Sequence, residues 1–214
     1  DGKKVAHRDK VNLPNYGVFD DKRNFTAGGM PGPVMLRGIK FGLPICEDIW
    51  QADVAECLQE SGADILLALN ASPYDSAKPE SRMSTAVART VETGLPLIYV
   101  NMVGGQDELV YDGASFALNA DGSLASHLPS FSETVLQVQL EEMAGHIQLN
   151  GQITPPDEGM QALYRGVMLG LRDYVHENGF PGVVLGLSGG IDSALVAALA
   201  VDALGADQVQ AVMM

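Results

Sequence analysis

Asp64-Ile65-Leu66-Leu67-Ala68-Leu69 is a six-residue run, apolar after its first position, with Gly62 just before it and Asn70-Ala71-Ser72-Pro73 just after. Its length and its flanking turn residues mark a strand of the fully buried kind. Outward from it the pattern alternates. Upstream, Val34-Met35-Leu36 and Ile39 to Ile45 read as short β segments, and Ala52 to Glu60 as a helix. Downstream, Ser81 to Glu92 reads as a second helix with Gly94 as its C-cap. Leu97 to Val103 is a further apolar strand. Strands alternating with helices are the signature of an α/β fold. Ala114 to Ala120, Asp121-Gly122 and the residues from Ser123 onward then predict a hairpin. Thr134 to Leu140 predicts one more strand, and the opening stretch to Met30 is polar and turn-rich.

Composition narrows the function classes. The 214 residues hold 13 Lys plus Arg against 27 Asp plus Glu, a formal charge of −14. Such a charge argues against a protein that works on phosphate backbones or anionic membranes, though one small anion can still bind in a local pocket. With 46% apolar and 19% charged residues the chain has enough material for a core and does not read as disordered. No apolar run approaches the ~20 residues of a membrane span. Two cysteines, Cys46 and Cys57, make no disulfide framework, so a reducing, cytoplasmic setting is expected. The first residue is not Met, and the last residues, Val212-Met213-Met214, stand inside an apolar run. The expectation is therefore a piece of a longer polypeptide, and isolated residues 1–214 are expected to be catalytically inactive.

Residues 141–158 break the alternation. Gly145, Gly151, Pro155 and Pro156 interrupt any period, and a linker is placed at 146–158, between a first unit at 1–145 and a second at 159–214. The second unit opens with an amphipathic helix, Met160 to Glu177. A strand, Val183 to Leu187, an Ala-rich helix, Asp192 to Leu204, and a strand, Val209 to Met213, follow it.

Gly186-Leu187-Ser188-Gly189-Gly190-Ile191-Asp192-Ser193 lies at the strand-to-helix junction of that second unit. Adjacent glycines let backbone approach an anion, and the free amides of a helix N-terminus point at it. Ser188 and Ser193 add hydroxyl donors. Asp192 would repel a bare phosphate, so a bridging cation such as Mg²⁺ is expected there. No Lys follows the glycines, which excludes the P-loop pattern. The plain alternative is a tight turn with Ser188 or Asp192 as an N-cap. The whole string resembles the Ser-Gly-Gly-x-Asp-Ser loop of the ATP-pyrophosphatase family, and its Leu185-Gly186-Leu187 lead-in looks most like the NAD synthetases within it.

Cys46 ends the apolar segment Phe41-Gly42-Leu43-Pro44-Ile45 and is followed by Glu47-Asp48-Ile49-Trp50. A cysteine at a strand end can be a nucleophile if a cation lowers its pKa and a base takes its proton. It can equally be a buried structural residue. Cys57, in mid-helix among Val54, Ala55 and Leu58, takes the structural reading.

Lys10 to Phe25, with Leu13-Pro14-Asn15-Tyr16 and Phe19-Asp20-Asp21, resembles the lysine segment of the nitrilase superfamily, and Gly42 to Trp50 its nucleophile segment. Asn101-Met102-Val103-Gly104-Gly105-Gln106 and Asp112-Gly113-Ala114-Ser115 look like the glutaminase domain of the glutamine-dependent NAD synthetase family. The resemblance runs from about Lys10 to the end of the chain. It implies that Cys46 attacks the side-chain amide of glutamine and that Lys10 is the triad lysine. An ammonium there would stabilise both the thiolate and the oxyanion. It places Tyr16, Ser72 and Lys78 on glutamine, with Glu47 and Trp50 beside the pocket. Tyr16 could also simply close a turn, and Lys78 could be a solvated charge. A glutamate base is expected upstream of these residues. Asp21 departs from the family's usual Glu, keeping the charge on a shorter side chain.

The resemblance further implies a part of a nitrilase-type α-β-β-α sandwich, then the start of a doubly wound ATP-pyrophosphatase domain. ATP would bind Gly186 to Ser193, with Asp192 on Mg²⁺. Ammonia from glutamine would amidate deamido-NAD (nicotinic acid adenine dinucleotide) through an adenylate, releasing AMP and pyrophosphate. Such a carbon–nitrogen ligase would take small molecules, neither nucleic acid nor membrane, and would form a homo-oligomer. Two alternatives stay open: the same parts serving another acceptor, and a non-catalytic module. His7, His127, His146 and His176 lack metal-ligand spacing.

Overall fold

The computed structural model describes residues 2–143 and 145–214. After one helical turn, α1 (Asp21–Asn24), the strands β1 (Val34–Leu36) and β2 (Ile39–Gly42) form an antiparallel hairpin. Its two turn residues, Arg37 and Gly38, both have positive φ, 51° and 88°. A two-residue turn of that hand matches the twist of the strands it joins.

From β2 the chain passes through a 3₁₀ turn, Cys46–Ile49, and then alternates through α2 (Ala52–Glu60), β3 (Ile65–Asn70), α3 (Lys78–Thr93) and β4 (Leu97–Asn101). β2, β3 and β4 run parallel, with Gly42 opposite Leu66 and Leu66 opposite Leu97. β5 (Val103–Gln106) and β6 (Leu109–Asp112) form a separate hairpin, and β7 (Phe116–Leu118) and β8 (Leu124–His127) return antiparallel to complete a six-stranded sheet in the order β1-β2-β3-β4-β7-β8.

Alternation along β3 divides the core. Leu66 and Ala68 face α2 and α3, where Val54, Ala55, Leu58 and Ala86 are fully buried with Leu97, Tyr99 and Phe116. Ile65 faces the opposite side and packs with Ala117, Ala125 and Leu149. Leu149 belongs to a second hairpin, β9 (Gln139–Met143) with β10 (His146–Asn150). The expected strand at Thr134 to Leu140 is therefore displaced: only its last two residues are strand. The stretch 141–158, read as irregular from its glycines and prolines, holds the rest of β9 and all of β10. The cause is burial, because Leu149 is drawn against the sheet face that Ile65 presents. Backbone bonds from His127 to Gln152 and from Thr154 to His127 then sew 152–154 onto β8.

The long helix α4 (Gly159–Glu177) lies on the β5–β6 hairpin. Small residues allow the approach: a Cβ on Gly105 would meet Gly170 Cα at 3.0 Å, and one on Gly170 would meet Val110 at 2.9 Å. The Gly105 amide donates to Asp173 at 2.7 Å across the contact. β11 (Val183–Leu187), α5 (Ile191–Leu204) and β12 (Val209–Met213) complete a parallel β-α-β unit. No described helix is long and apolar enough to cross a membrane.

Candidate active site

Gly42 ends β2 beneath α2, where an added Cβ would meet Leu66 at 2.8 Å and Leu58 at 3.2 Å. The chain then crosses Pro44, bridges Ile45 to Leu69 in parallel fashion, and turns at Cys46. Cys46 has φ 50°. A left-handed conformation at a residue with a Cβ costs on the order of 1 kcal/mol and persists only where surroundings over-determine it. The turn tips the side chain out of the strand path at the C-terminal edge of the parallel strands.

Four influences act on the sulfur besides its burial. Burial is the largest and pushes the thiol up from its ordinary pKa; the Glu47 carboxylate pushes the same way. The Lys10 ammonium and the backbone N–H groups of Ala71 and Glu47 pull it down, but burial wins. Cys46 thus rests as a thiol under a cation and two amide donors. Tyr16, Tyr99 and Tyr111 are close enough for a Cys46 thiolate to raise each of them.

Lys10 reaches this place on the segment 8–12. Its Nζ donates to Asp21 at 2.8 Å, so the aspartate in place of the family's glutamate still reaches the lysine. The Lys10 carbonyl accepts from the Gly28 amide at 2.8 Å, and a Cβ on Gly28 would sit 2.6 Å from Asp9 Cβ, so only glycine fits. The Tyr16 hydroxyl donates to Glu47 at 2.8 Å, while the Tyr16 carbonyl accepts from Phe19 and closes a turn. Both readings of Tyr16 therefore hold together. Burial, then the bond to Glu47, pushes its hydroxyl up to about 12.

Ser72 is buried one residue beyond Ala71, with its amide held by Asn101 Oδ1 at 2.9 Å. Its hydroxyl and that of Tyr99 lie close enough to interact, yet neither completes a hydrogen bond. Trp50 is half-buried and packs toward the helical core rather than out from it. Lys78 begins α3, and its side chain makes no ion pair among the described residues. The structure thus gathers Cys46, Lys10, Glu47 and Tyr16, sets Ser72 next to Ala71, and shows no tie from Lys78 or Trp50 to that group.

Two arrangements escaped the sequence reading. Asp48, with no exposed surface, accepts from the amides of Val11 (3.1 Å), Asn12 (2.7 Å) and Ile45 (3.0 Å) and from Arg8 Nη2 (3.0 Å). Its acidity beside Cys46 was visible; its partners, 36 to 40 residues away for all but Ile45, were not. Arg82 and Asp112, both buried, form a two-point pair at 2.9 and 3.1 Å. Asn101 Nδ2 adds a third bond to Asp112 at 3.2 Å, linking the pair to Ser72 through the other end of the same amide.

The second candidate site is the junction of β11 and α5. Gly189 takes φ 79° with nothing within 4 Å of the position of a Cβ, and Gly190 caps the helix. Ser193 Oγ donates to the Gly190 carbonyl at 3.0 Å and lies 3.3 Å from Ser188 Oγ. The loop is exposed, and the amides of the first turn of a 14-residue helix open above it. Asp192, also exposed, is the carboxylate at this mouth. No group of three or more His, Cys, Asp or Glu among the described residues could hold a metal unaided. A cation here would need oxygens from the bound anion, which suits Mg²⁺ on a nucleotide phosphate.

Comparison with known proteins fits both halves. The family model described as carbon-nitrogen hydrolase matches residues 1–147, and the one described as NAD synthase matches residues 163–214. The chain belongs to the carbon-nitrogen hydrolase family, which is the nitrilase-type fold, joined to the start of an NAD synthase fold. It is 48% identical to the glutamine-dependent NAD(+) synthetase of Rhodobacter capsulatus and 43% identical to that of Acinetobacter baylyi, covering 100% of this chain and 39% of each relative. The structure of glutamine-dependent NAD+ synthetase from Acinetobacter baumannii in complex with ADP superposes with a TM-score of 0.90 at 46% identity, over 96% of this chain and 39% of that one. The chain spans about two fifths of the length of these relatives.

Proposed function

We propose that this chain carries the thiol half of a glutamine-splitting site and the nucleotide loop of a glutamine-dependent NAD+ synthetase. The observation that supports it most is the pairing, in one chain, of a strained Cys46 turn under Lys10 with a separate anion cradle at Gly186 to Ser193. The relatives that match along the whole chain carry that name. A division into two units, the second at 159–214, belongs to the same proposal, with β10 and 152–154 going with the first.

In the reading, the Cys46 sulfur gives its proton to a base and attacks the amide carbon of glutamine. The oxygen that becomes negative is met by the Glu47 amide and the Lys10 ammonium. The base returns that proton to the amide nitrogen, the C–N bond breaks to release ammonia, and the thioester left behind is hydrolysed by water to glutamate and free thiol. Because burial holds Cys46 protonated at rest, a base must take the proton as attack proceeds, and a glutamate from outside these residues is the candidate. Tyr16 and Glu47 line the approach, and Ser72 contributes an uncommitted hydroxyl.

At the second site the first-turn amides of α5, Ser188 and Ser193 would bind ATP phosphates. Asp192 would hold Mg²⁺, which would offset phosphate charge when bound. ATP activates the carboxylate of deamido-NAD as an AMP ester, and ammonia displaces AMP to give NAD+. Free ammonia in neutral water is mostly protonated and not nucleophilic, so a sheltered route between sites is part of the proposal. In the complete protein, Cys46→Ala should abolish glutamine-driven NAD+ synthesis and leave synthesis from added ammonium salt. Equal loss of both would overturn this division of labour.

A further inference from the structure

Asp48 has no part in the chemistry above, yet it is the most heavily bonded carboxylate near the thiol. Its two oxygens split their work. Oδ1 accepts only from the amides of Val11 and Asn12, the two residues that follow Lys10. Oδ2 accepts from the amide of Ile45, which precedes Cys46, and from Arg8, which precedes Lys10 by two. Arg8 Nε in turn donates to the Leu43 carbonyl at 3.1 Å, on the approach to the same turn. One buried carboxylate therefore joins the lysine segment to the nucleophile turn, on both sides of Lys10 and next to Cys46. A local turn cap would need only the bond to Ile45. The long-range bonds have no role in capping, and their donors flank Lys10.

We propose that Asp48 is a positioning residue for the reaction at Cys46: its carboxylate sets how far the Lys10 ammonium stands from the sulfur. The inference rests on the reading of Cys46 as nucleophile and Lys10 as its cationic partner. It assigns Asp48 no contact with substrate. Asp21 on the ammonium is a separate restraint, acting on the tip of the side chain, whereas Asp48 holds the backbone that carries it.

The physics supplies a test by sign. Asp48→Asn removes a negative charge close in sequence to the thiol. If the carboxylate acted only through its own field, its loss would favour the thiolate and lower the Cys46 pKa. If it acts by holding Lys10, its loss lets the ammonium drift and raises that pKa. The charged and titratable groups around the sulfur are Lys10, Glu47, Tyr16, Tyr99 and Tyr111. Of these, Lys10 is the cation whose approach Asp48 governs.

The experiment is the pH dependence of iodoacetamide alkylation of Cys46, read by mass spectrometry on the Cys46 peptide of the complete protein, with circular dichroism to confirm folding. Wild type, Asp48→Asn, Lys10→Gln and the double variant are compared. The expected result is an upward move of the alkylation midpoint by about one pH unit in Asp48→Asn. A similar move is expected in Lys10→Gln, with no further move in the double variant. Glutamine-driven kcat should fall in Asp48→Asn while ammonium-driven synthesis is kept. A midpoint that stays put, moves down, or moves equally with Lys10 absent overturns the proposal. Should Asp48→Asn fail to fold, Arg8→Gln removes one of the four bonds and must move the midpoint upward, or the proposal fails. The alkylation readout is independent of turnover. If Cys46→Ala keeps glutamine-driven synthesis, the glutaminase reading fails by itself and can be told apart from failure of the Asp48 assignment.

Discussion

Replacing Asp112 by Ala should be among the most destabilising single changes in the first fold. The carboxylate is paired at two points with Arg82, and the two side chains are 3% and 2% exposed. Removing it leaves the guanidinium without the one carboxylate it pairs with among the described residues. What remains is the Tyr99 ring, 6.0 Å from the guanidinium carbon, and an Nε that already lacks a partner. A buried ion pair broken from one side costs on the order of 3–5 kcal/mol, because the surviving charge is stranded away from water. Against a total stability of about 5–15 kcal/mol, that is a large share. With a urea m-value of roughly 2–3 kcal/mol/M, the midpoint should fall by about 1–2 M. Labelling of Cys57, half-buried in α2 beside this core, reports the transition locally. The control is Arg82→Met with Asp112→Leu, which removes both charges and should recover most of the loss. The loss should also reach the thiol site, since Asn101 would be freed at one end while still holding the Ser72 amide at the other. A loss below about 1 kcal/mol for Asp112→Ala, or a double variant no better than the worse single one, would refute the burial argument.

Gly42→Ala should lower the thermal midpoint, by overpacking worth about 1–3 kcal/mol, because the new methyl would press on Leu66 and Leu58, both fully buried. A midpoint within experimental error of wild type would show that α2 can shift freely. His127 titrates in the acid range, where its effect has a definite sign. Burial lowers its pKa, outweighing the Thr154 carbonyl bond, so the folded state binds this proton less readily than the unfolded one. Stability should therefore decline as pH falls below about 6.5 and level off below the folded pKa. His127→Gln should flatten that part of the profile, with Asp112 and Arg82, the charged groups facing the ring, left in place. A slope unchanged by the substitution would assign it to other groups.

Legibility from sequence followed the range of the forces involved. The helix at Ala52 to Glu60 is legible to the residue, because Val54, Ala55 and Leu58 supply its buried face within one and a half turns. α3 starts three residues before its sequence reading, at Lys78. Pro79 signals a break when read alone, but in a first helical turn its missing N–H costs nothing. The β9–β10 hairpin was hidden for a different reason. Leu149, its fully buried residue among those described, is placed by Ile65, Ala117 and Ala125, all more than twenty residues distant. Cys46, Lys10 and the 186–193 loop stand out in the sequence as candidates because the segments around them resemble those of known families. The left-handed backbone at Cys46 and the burial of Asp48 are not legible there, since each is imposed by segments that meet only in the folded chain.

The charges around Cys46 explain why the site is built to rest neutral. Among the described residues Lys10 is the cation that acts on the sulfur, and it already serves Asp21 at 2.8 Å. Glu47 adds a second carboxylate, tied to Tyr16. With a neutral thiol these groups sum to one negative charge; a thiolate would make two, in a pocket that burial has partly dried. An ammonium shared with Asp21 cannot offset both desolvation and Glu47, which is why burial prevails in raising the thiol. In the proposed reaction the balance would change when the amide carbonyl of glutamine arrives. Negative charge would then move from sulfur to the oxygen, to be met by the Glu47 amide and the ammonium, where fixed donors would stabilise it better than they stabilise the resting thiol. A site of this kind favours proton removal only in step with attack. Its resting thiol is thereby protected from adventitious alkylation and oxidation, both of which need the thiolate. The position of Lys10 matters most in the charged transition state and least in the resting one, so any residue that holds the lysine should affect kcat more than substrate binding.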